Sequence, residues 1–148
     1  MIIHERIEIE PKTVELVLAR SFVRECLETL DIAPSIVSLI ILATDEALSN
    51  IICHGLTDPN TPSTLQVEVR ATLDKIQIYI HDRGIPFDSS DFQSHDLSEH
   101  IREGRRSGLG LHLIHLACDD IEYQSSPETG NTLCLTKRLL ESISPLSA

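Results

Sequence analysis

The sequence predicts an α+β fold: a two-layer sandwich in which a mixed, mostly antiparallel sheet is covered on one face by helices. Three observations lead there. Apolar Leu65, Val67, Val69 and Ala71 alternate with polar Gln66, Glu68 and Arg70, and Ile76, Ile78 and Ile80 alternate with Gln77, Tyr79 and His81. That period belongs to half-buried strands. The stretches before them repeat apolar residues at helical spacing. The order of segments, β-α-α-β-β-loop-α-β-β, is dominated by hairpins, which favours antiparallel pairing with helices gathered on one side.

The elements follow in order. Ile3, Ile7 and Ile9 within a charged stretch predict a first strand, which Pro11 ends. Val14, Leu16, Val17, Leu18, Phe22, Val23, Cys26, Leu27 and Leu30 predict a helix from about Lys12 to Leu30. Asp31-Ile32-Ala33-Pro34-Ser35 breaks it. Pro34 and Ser35 suit the start of a second helix, which runs to His54 and stops at Gly55. Thr57 to Ser63 holds two prolines, an Asn and an Asp and reads as a loop. The two alternating strands then form a hairpin that turns near Leu73-Asp74-Lys75. Asp82 to Ser107 is polar and long; loops of that length in a small domain are functional or mobile. Gly108 to Cys118 predicts a third helix. Ile121 to Ser125 and Thr132 to Arg138 form a second hairpin across Pro127-Glu128-Thr129-Gly130-Asn131. The tail, residues 141–148, is expected to fray.

Composition narrows the function classes. With 148 residues, 41% of them hydrophobic, the chain suits one globular domain spanning residues 1–148. Aromatics are only 3%, so Leu, Ile, Val and Ala must build the core. The net charge of −11 argues against a direct nucleic-acid or anionic-membrane binder, because phosphate backbones need a basic surface. A small phosphate ligand in a locally positive pocket stays open. Met1 to Glu10 is charged and lacks the apolar run of a signal peptide. The longest apolar run, Ile36 to Ala43, is short for a membrane span and is interrupted by Ser38. Cys26, Cys53, Cys118 and Cys134 are widely spaced and mostly flanked by apolar residues, with no C-x-x-C. They read as buried free thiols in a reducing cytoplasm.

Three segments bear chemistry. Asp45-Glu46-Ala47-Leu48-Ser49-Asn50-Ile51-Ile52-Cys53-His54-Gly55 sets Glu46, Asn50 and His54 at i, i+4 and i+8, on one stripe of a helix. Val37, Ile41, Leu48, Ile51 and Ile52 form the apolar stripe opposite. A carboxylate one turn from a neutral amide suits a magnesium-phosphate site: the carboxylate accepts a proton, and the amide oxygen ligates a hard cation. His81-Asp82-Arg83-Gly84-Ile85-Pro86-Phe87-Asp88 places Asp82 where a strand meets the long loop. A carboxylate there can accept from an exocyclic amine such as that of adenine, and Gly84 lets the backbone approach a flat ring. Gly104-Arg105-Arg106-Ser107-Gly108-Leu109-Gly110-Leu111 leads into a helix and can cradle phosphate on backbone N–H groups, with Arg105 or Arg106 adding charge. Singly, these match an amphipathic helix, an Asp-x-Gly turn and a glycine hinge.

In this order and spacing they resemble the N, G1 and G2 boxes of the histidine-kinase-like ATPase superfamily, the Bergerat fold. The resemblance runs from about Lys12 to Arg138. The short length and the Asp-Glu-Ala-x-x-Asn form point to the branch of anti-sigma-factor serine-protein kinases of the RsbW kind. Members of that branch bind ATP and Mg²⁺, phosphorylate a small anti-sigma antagonist of the STAS type, and sequester a sigma factor. The resemblance implies Asn50 as the Mg²⁺ ligand and Glu46 as the catalytic general base. It implies Asp82 and Gly84 as adenine-binding residues. Arg105, Arg106, Ser107, Gly108, Leu109 and Gly110 would surround the phosphates, with residues 87–107 as a lid. Thr132, after Gly130-Asn131, would close the adenine pocket. His54 would fall near the phosphate end of its helix. The family tendency to dimerise makes a homodimer one expectation. One departure is Pro86, which stands at the second glycine of the G1 box, removes an N–H and fixes φ.

Other functions fit parts of the pattern. A nucleotide-dependent binding switch with little or no kinase activity needs the same boxes. A histidine-phosphorylating fragment would need a dimerisation helix pair that this sequence lacks. A metal enzyme using His112, His115, His81 and Asp119 lacks recognisable ligand spacing. Arg20 and Arg24 on the first helix suggest a partner surface.

Overall fold

Strand β3 (Lys75–Asp82) is hydrogen-bonded on both sides, to β2 (Leu65–Ala71) and to β5 (Gly130–Arg138). Outside these lie β1 (Ile3–Ile9), paired to β2, and β4 (Asp120–Ser126), paired to β5. The five-stranded order is β1-β2-β3-β5-β4. Every one of these pairs is antiparallel, so the sheet expected to be mixed is uniformly antiparallel among the described residues. The computed structural model describes residues 2–54, 64–86 and 113–139. The expected loop of residues 57–63, the cap at Gly55, the lid of residues 87–107 and the tail of residues 141–148 lie outside them. Residues 113–117 are helical, within the expected third helix; the first part of that helix, from Gly108, also lies outside.

The strand pleat decides what each face holds. Ile76, Ile78 and Ile80 of β3 point inward, with Leu65, Val67 and Val69 of β2 and Leu133 and Leu135 of β5. They share one cluster with Ala19, Val23 and Leu27 of α1 (Leu16–Glu28) and with Val37, Ile40, Ile41, Ala47, Leu48 and Ile51 of α2 (Pro34–His54). Burying each large aliphatic side chain contributes about 1.5–3 kcal/mol, which lets a core almost without aromatics hold.

The first helical segment differs from its expected form. A 3₁₀ turn (Thr13–Glu15) precedes α1. Only Leu16, Ala19, Val23 and Leu27 of α1 are buried, while Val14, Val17 and Leu18 are exposed. Thr29 closes the end by donating its hydroxyl to the Cys26 carbonyl at 2.8 Å. Helix α2 begins at Pro34, with the Ala33 carbonyl accepting from the N–H groups of Ile36 and Val37. By length and composition only, the window 34–53 is long and apolar enough to cross a bilayer, longer than the run expected from the sequence. That run, Ile36 to Ala43 interrupted by Ser38, is shorter than this window, which also takes in Thr44 to Cys53. In the fold Val37, Ile40, Ile41, Ala43, Ala47, Leu48 and Ile51 of α2 line the core, while Leu39 and Leu42 are exposed. Thr44 is buried and bonds back to the Ile40 carbonyl at 2.7 Å. Arg20 of α1 lies 3.3 Å from Asp45 of α2 and so ties the two helices together.

The four cysteines are free. Cys134 is buried, and Cys26 and Cys118 are half-buried; Cys53 is exposed, unlike the expectation. Burial, reinforced by Asp119, pushes the Cys118 thiol up to about 12.

The outer face of the sheet is polar but not loose. Glu68 is only 5% exposed there. It accepts from Arg70 Nε at 2.9 Å, from His81 Nε2 at 3.3 Å and from His4. Arg70 also lies 4.4 Å over the Tyr79 ring. Burial alone pushes the Glu68 carboxyl up, but the bonds from Arg70, His4 and His81 outweigh it and hold the group at about 2. A depressed folded-state value means stability that is complete above the ordinary value of 4.5 and lost as pH falls towards about 2. Glu68→Ala should therefore cost about 1–2 kcal/mol at neutral pH, with partly exposed partners limiting the loss. It should also flatten the acid limb of a stability-against-pH curve between those two values, as measured by urea denaturation.

Candidate functional site

Asp82 is the last residue of β3 and keeps the inward parity of Ile76, Ile78 and Ile80. It is a carboxylate at the end of a hydrophobic row, only 5% exposed. Such a group needs partners. The N–H of Gly84 donates to Asp82 Oδ1 at 2.8 Å, closing the Asp-x-Gly turn on itself. Asn131 Nδ2 donates to the same oxygen at 2.9 Å. Asn131 faces Asp82 across the β3–β5 ladder and is 3% exposed.

The turn between β4 and β5 is shaped to the same spot. Gly130 takes φ +82°, the left-handed region. A Cβ there would lie 2.7 Å from the Asp82 carbonyl oxygen and 3.1 Å from Arg83 Cγ. No residue but glycine lets the turn press against the Asp82 backbone. Ser126 and Thr129 hold the turn through their hydroxyls at 2.7 Å, and Arg83 reaches the Glu128 carbonyl.

Thr132, which the resemblance implies would close the adenine pocket, is half-buried on β5. It pairs with His81, not Asp82, and its hydroxyl is 3.0 Å from His81 Nδ1 on the outer face. The pleat sends neighbouring residues to opposite faces, so Asn131 meets Asp82. Sequence reasoning passed over Asn131 as a turn residue. The signal that could have found it was parity: Asn131 is in step with Leu133 and Leu135.

Glu46 and Asn50 are half-buried on α2, one turn apart, on the helix layer that covers the inner face. The carboxylate and the amide oxygen form a donor set of the hard kind that Mg²⁺ accepts. Asp45, beside them, is held by Arg20. Arg105, Arg106, Ser107, Gly108, Leu109 and Gly110 lie outside the described residues, as does the side chain of His54. Gly84 is placed as expected in the turn, its N–H on Asp82 and its carbonyl accepting from Asn131 Nδ2 at 2.9 Å. Two cavities flank the Asp82–Gly84 segment. One, of about 340 Å³, is lined by Gln66, His81, Asp82 and Arg83 among others; the second, of about 260 Å³, by Gly84, Pro86, Ser125 and Asn131 among others. Glu46 and Asn50 line neither cavity, and the first, with Gln66 and His81, opens toward the outer face of the sheet. No group of three or more His, Cys, Asp or Glu among the described residues could hold a metal ion.

Comparison with known proteins decides the family. The model of the histidine kinase-like ATPase domain matches residues 9–137. The chain belongs to that family. It is similar to the serine-protein kinase RsbW of Staphylococcus aureus, 32% identical over 100 residues, which cover 65% of this chain and 62% of the relative. The alignment thus spans less than two thirds of the relative's length. The fold resembles the RsbU and RsbW domains of a Mycobacterium tuberculosis protein, with TM-score 0.61, 17% identity and coverage of 91% of this chain and 32% of that one. It also resembles the histidine kinase domain of a blue-light activated histidine kinase from Erythrobacter litoralis, with TM-score 0.57, 12% identity and coverage of 90% and 63%. The antiparallel sheet with its helices is thus the fold of histidine kinase-like ATPases.

The pressing of Gly130 on Asp82 can be tested. Gly130→Ala combines a left-handed φ with a contact no real Cβ makes. It should lower stability by about 1–3 kcal/mol, read as a shift of the denaturation midpoint.

Proposed function

We propose that the chain is an ATP-binding serine/threonine-protein kinase and anti-sigma factor. It phosphorylates a small STAS-type antagonist and sequesters a sigma factor in the cytoplasm. The observation that bears this reading is the buried Asp82 carboxylate, fixed at a strand end inside the sheet–helix sandwich of a histidine kinase-like ATPase. The similarity to serine-protein kinase RsbW gives it direction.

The roles follow from chemistry. Asp82 accepts from the adenine amine, and Gly84 lets the ring lie close to the backbone. Asn50 holds Mg²⁺ by its amide oxygen. Arg105 and Arg106, with the N–H groups of Ser107, Gly108, Leu109 and Gly110, hold the phosphates. Bound ATP and Mg²⁺ supply the transferable phosphoryl group and neutralise its charge. Glu46 orients the incoming hydroxyl and accepts its proton. Residues 87–107 exclude water as a lid. A homodimer is the proposed assembly.

Two variants separate binding from transfer. Asp82→Asn should abolish micromolar, Mg²⁺-dependent ATP binding in calorimetry. Glu46→Ala should keep that binding and lower phosphate transfer to the antagonist by about 10²–10⁴-fold. Transfer at the normal rate by Glu46→Ala removes Glu46 as the base. Binding without any labelling of an antagonist by the unaltered protein leaves a nucleotide-dependent binding switch in place of a kinase.

A further inference from the structure

Asp82, Asn131 and Ser125 form one row across three strands. Asp82 pairs with Asn131 in the β3–β5 ladder, and Ser125 pairs with Asn131 in the β4–β5 ladder. Their side chains are linked in the same order. Ser125 Oγ donates to Asn131 Oδ1 at 2.6 Å, and Asn131 Nδ2 donates to Asp82 Oδ1 and to the Gly84 carbonyl, both at 2.9 Å.

The chemistry of the partners fixes the amide. A carboxylate oxygen and a carbonyl oxygen only accept, so the Asn131 nitrogen must face them. The Asn131 oxygen must then face a donor, and the Ser125 hydroxyl is that donor. A flipped amide would set oxygen against both Asp82 and Gly84. Asn131 is 3% exposed, where unmet polar atoms are costly.

Asp82 Oδ1 therefore has both of its donors from within the chain, Gly84 and Asn131. Arg83, the neighbouring cation, turns instead to the Glu128 carbonyl. The carboxylate is held in one rotation, with Oδ2 as the oxygen not engaged by Asn131 and Gly84. We propose that Asn131 is the positioning residue for the nucleobase-reading carboxylate of Asp82, and that Ser125 sets the sense of the Asn131 amide. This rests on the adenine-binding role proposed for Asp82. Asn131 acts through Asp82 and through the Gly84 carbonyl, so it also fixes the turn on which a flat ring would lie.

Asn131→Asp tests the idea with little change of shape. It replaces the donor N–H with an oxygen and sets two carboxylates together. Such a pair is tolerated only while it shares a proton. The probe is ADP with Mg²⁺, titrated calorimetrically against the unaltered protein and the variant from about pH 5 to about pH 8. The ratio of the two dissociation constants cancels the titration of the nucleotide itself. The expected ratio is within about threefold of unity at the acid end and at least about tenfold at the alkaline end. A ratio near unity throughout overturns the positioning role, with adenine binding intact. No ADP binding by the unaltered protein overturns both this proposal and the reading it rests on. Ser125→Ala, at an exposed position, covers the case in which the aspartate variant does not fold. It should weaken ADP by about three- to tenfold in a chain that stays folded, with at most a modest fall in melting temperature from the acceptor left unmet on Asn131. Equal affinity there overturns the part assigned to Ser125, and with an unfolded aspartate variant it overturns the row as a positioning device.

Discussion

The pleat of β3 is the constraint on which the rest depends. Its inward row, Ile76, Ile78, Ile80 and Asp82, begins as core and ends as chemistry. The row is fixed because β3 is paired along both edges. A slip of one residue would expose three isoleucines and turn Asp82 to the outer face. The hydrophobic effect thus sets the direction of the Asp82 carboxylate. Hydrogen bonding then completes what burial begins, since a carboxylate so enclosed would be costly alone.

The two faces of the sheet solve different problems. The inner face is aliphatic and covered by α1 and α2; Thr44 within it bonds back to its own helix, and Asp82 and Asn131 on the sheet and the half-buried Glu46 and Asn50 on α2 are polar. The outer face is a web around Glu68 that joins β1, β2 and β3 through His4, Arg70 and His81. Its stability is electrostatic, whereas that of the inner face is not. Acid should therefore loosen the outer face before it disturbs the core.

Much of this was legible in the sequence. Alternation of period two gave β2 and β3 to within a residue, and Pro34 marked the start of α2. Asp82 sits at its strand end as expected, whereas the third glycine-rich segment lies outside the described residues. What was not legible has physical reasons. Val14, Val17 and Leu18 have helical spacing yet lie exposed, because periodicity alone cannot say where the partner layer ends. Thr132 and Asn131 differ by one residue, and only the β3–β5 register says which of them meets Asp82. Glu68 reads as a solvated strand residue; one of its partners is His4, which is 64 positions away. Long-range partners of that sort leave no local signature.

The edges of the sheet have a consequence of their own. Strand β1 carries His4, Glu5, Arg6 and Glu8 on one margin, and β4 carries Asp120 and Glu122 on the other. Ionisable side chains on a free edge oppose the addition of a foreign strand. Growth of the sheet from one molecule into the next is disfavoured at both ends, so a chain rich in β-branched residues keeps its ribbons from propagating into fibres. Among the described residues, these two margins disfavour an assembly made by zipping one sheet onto another.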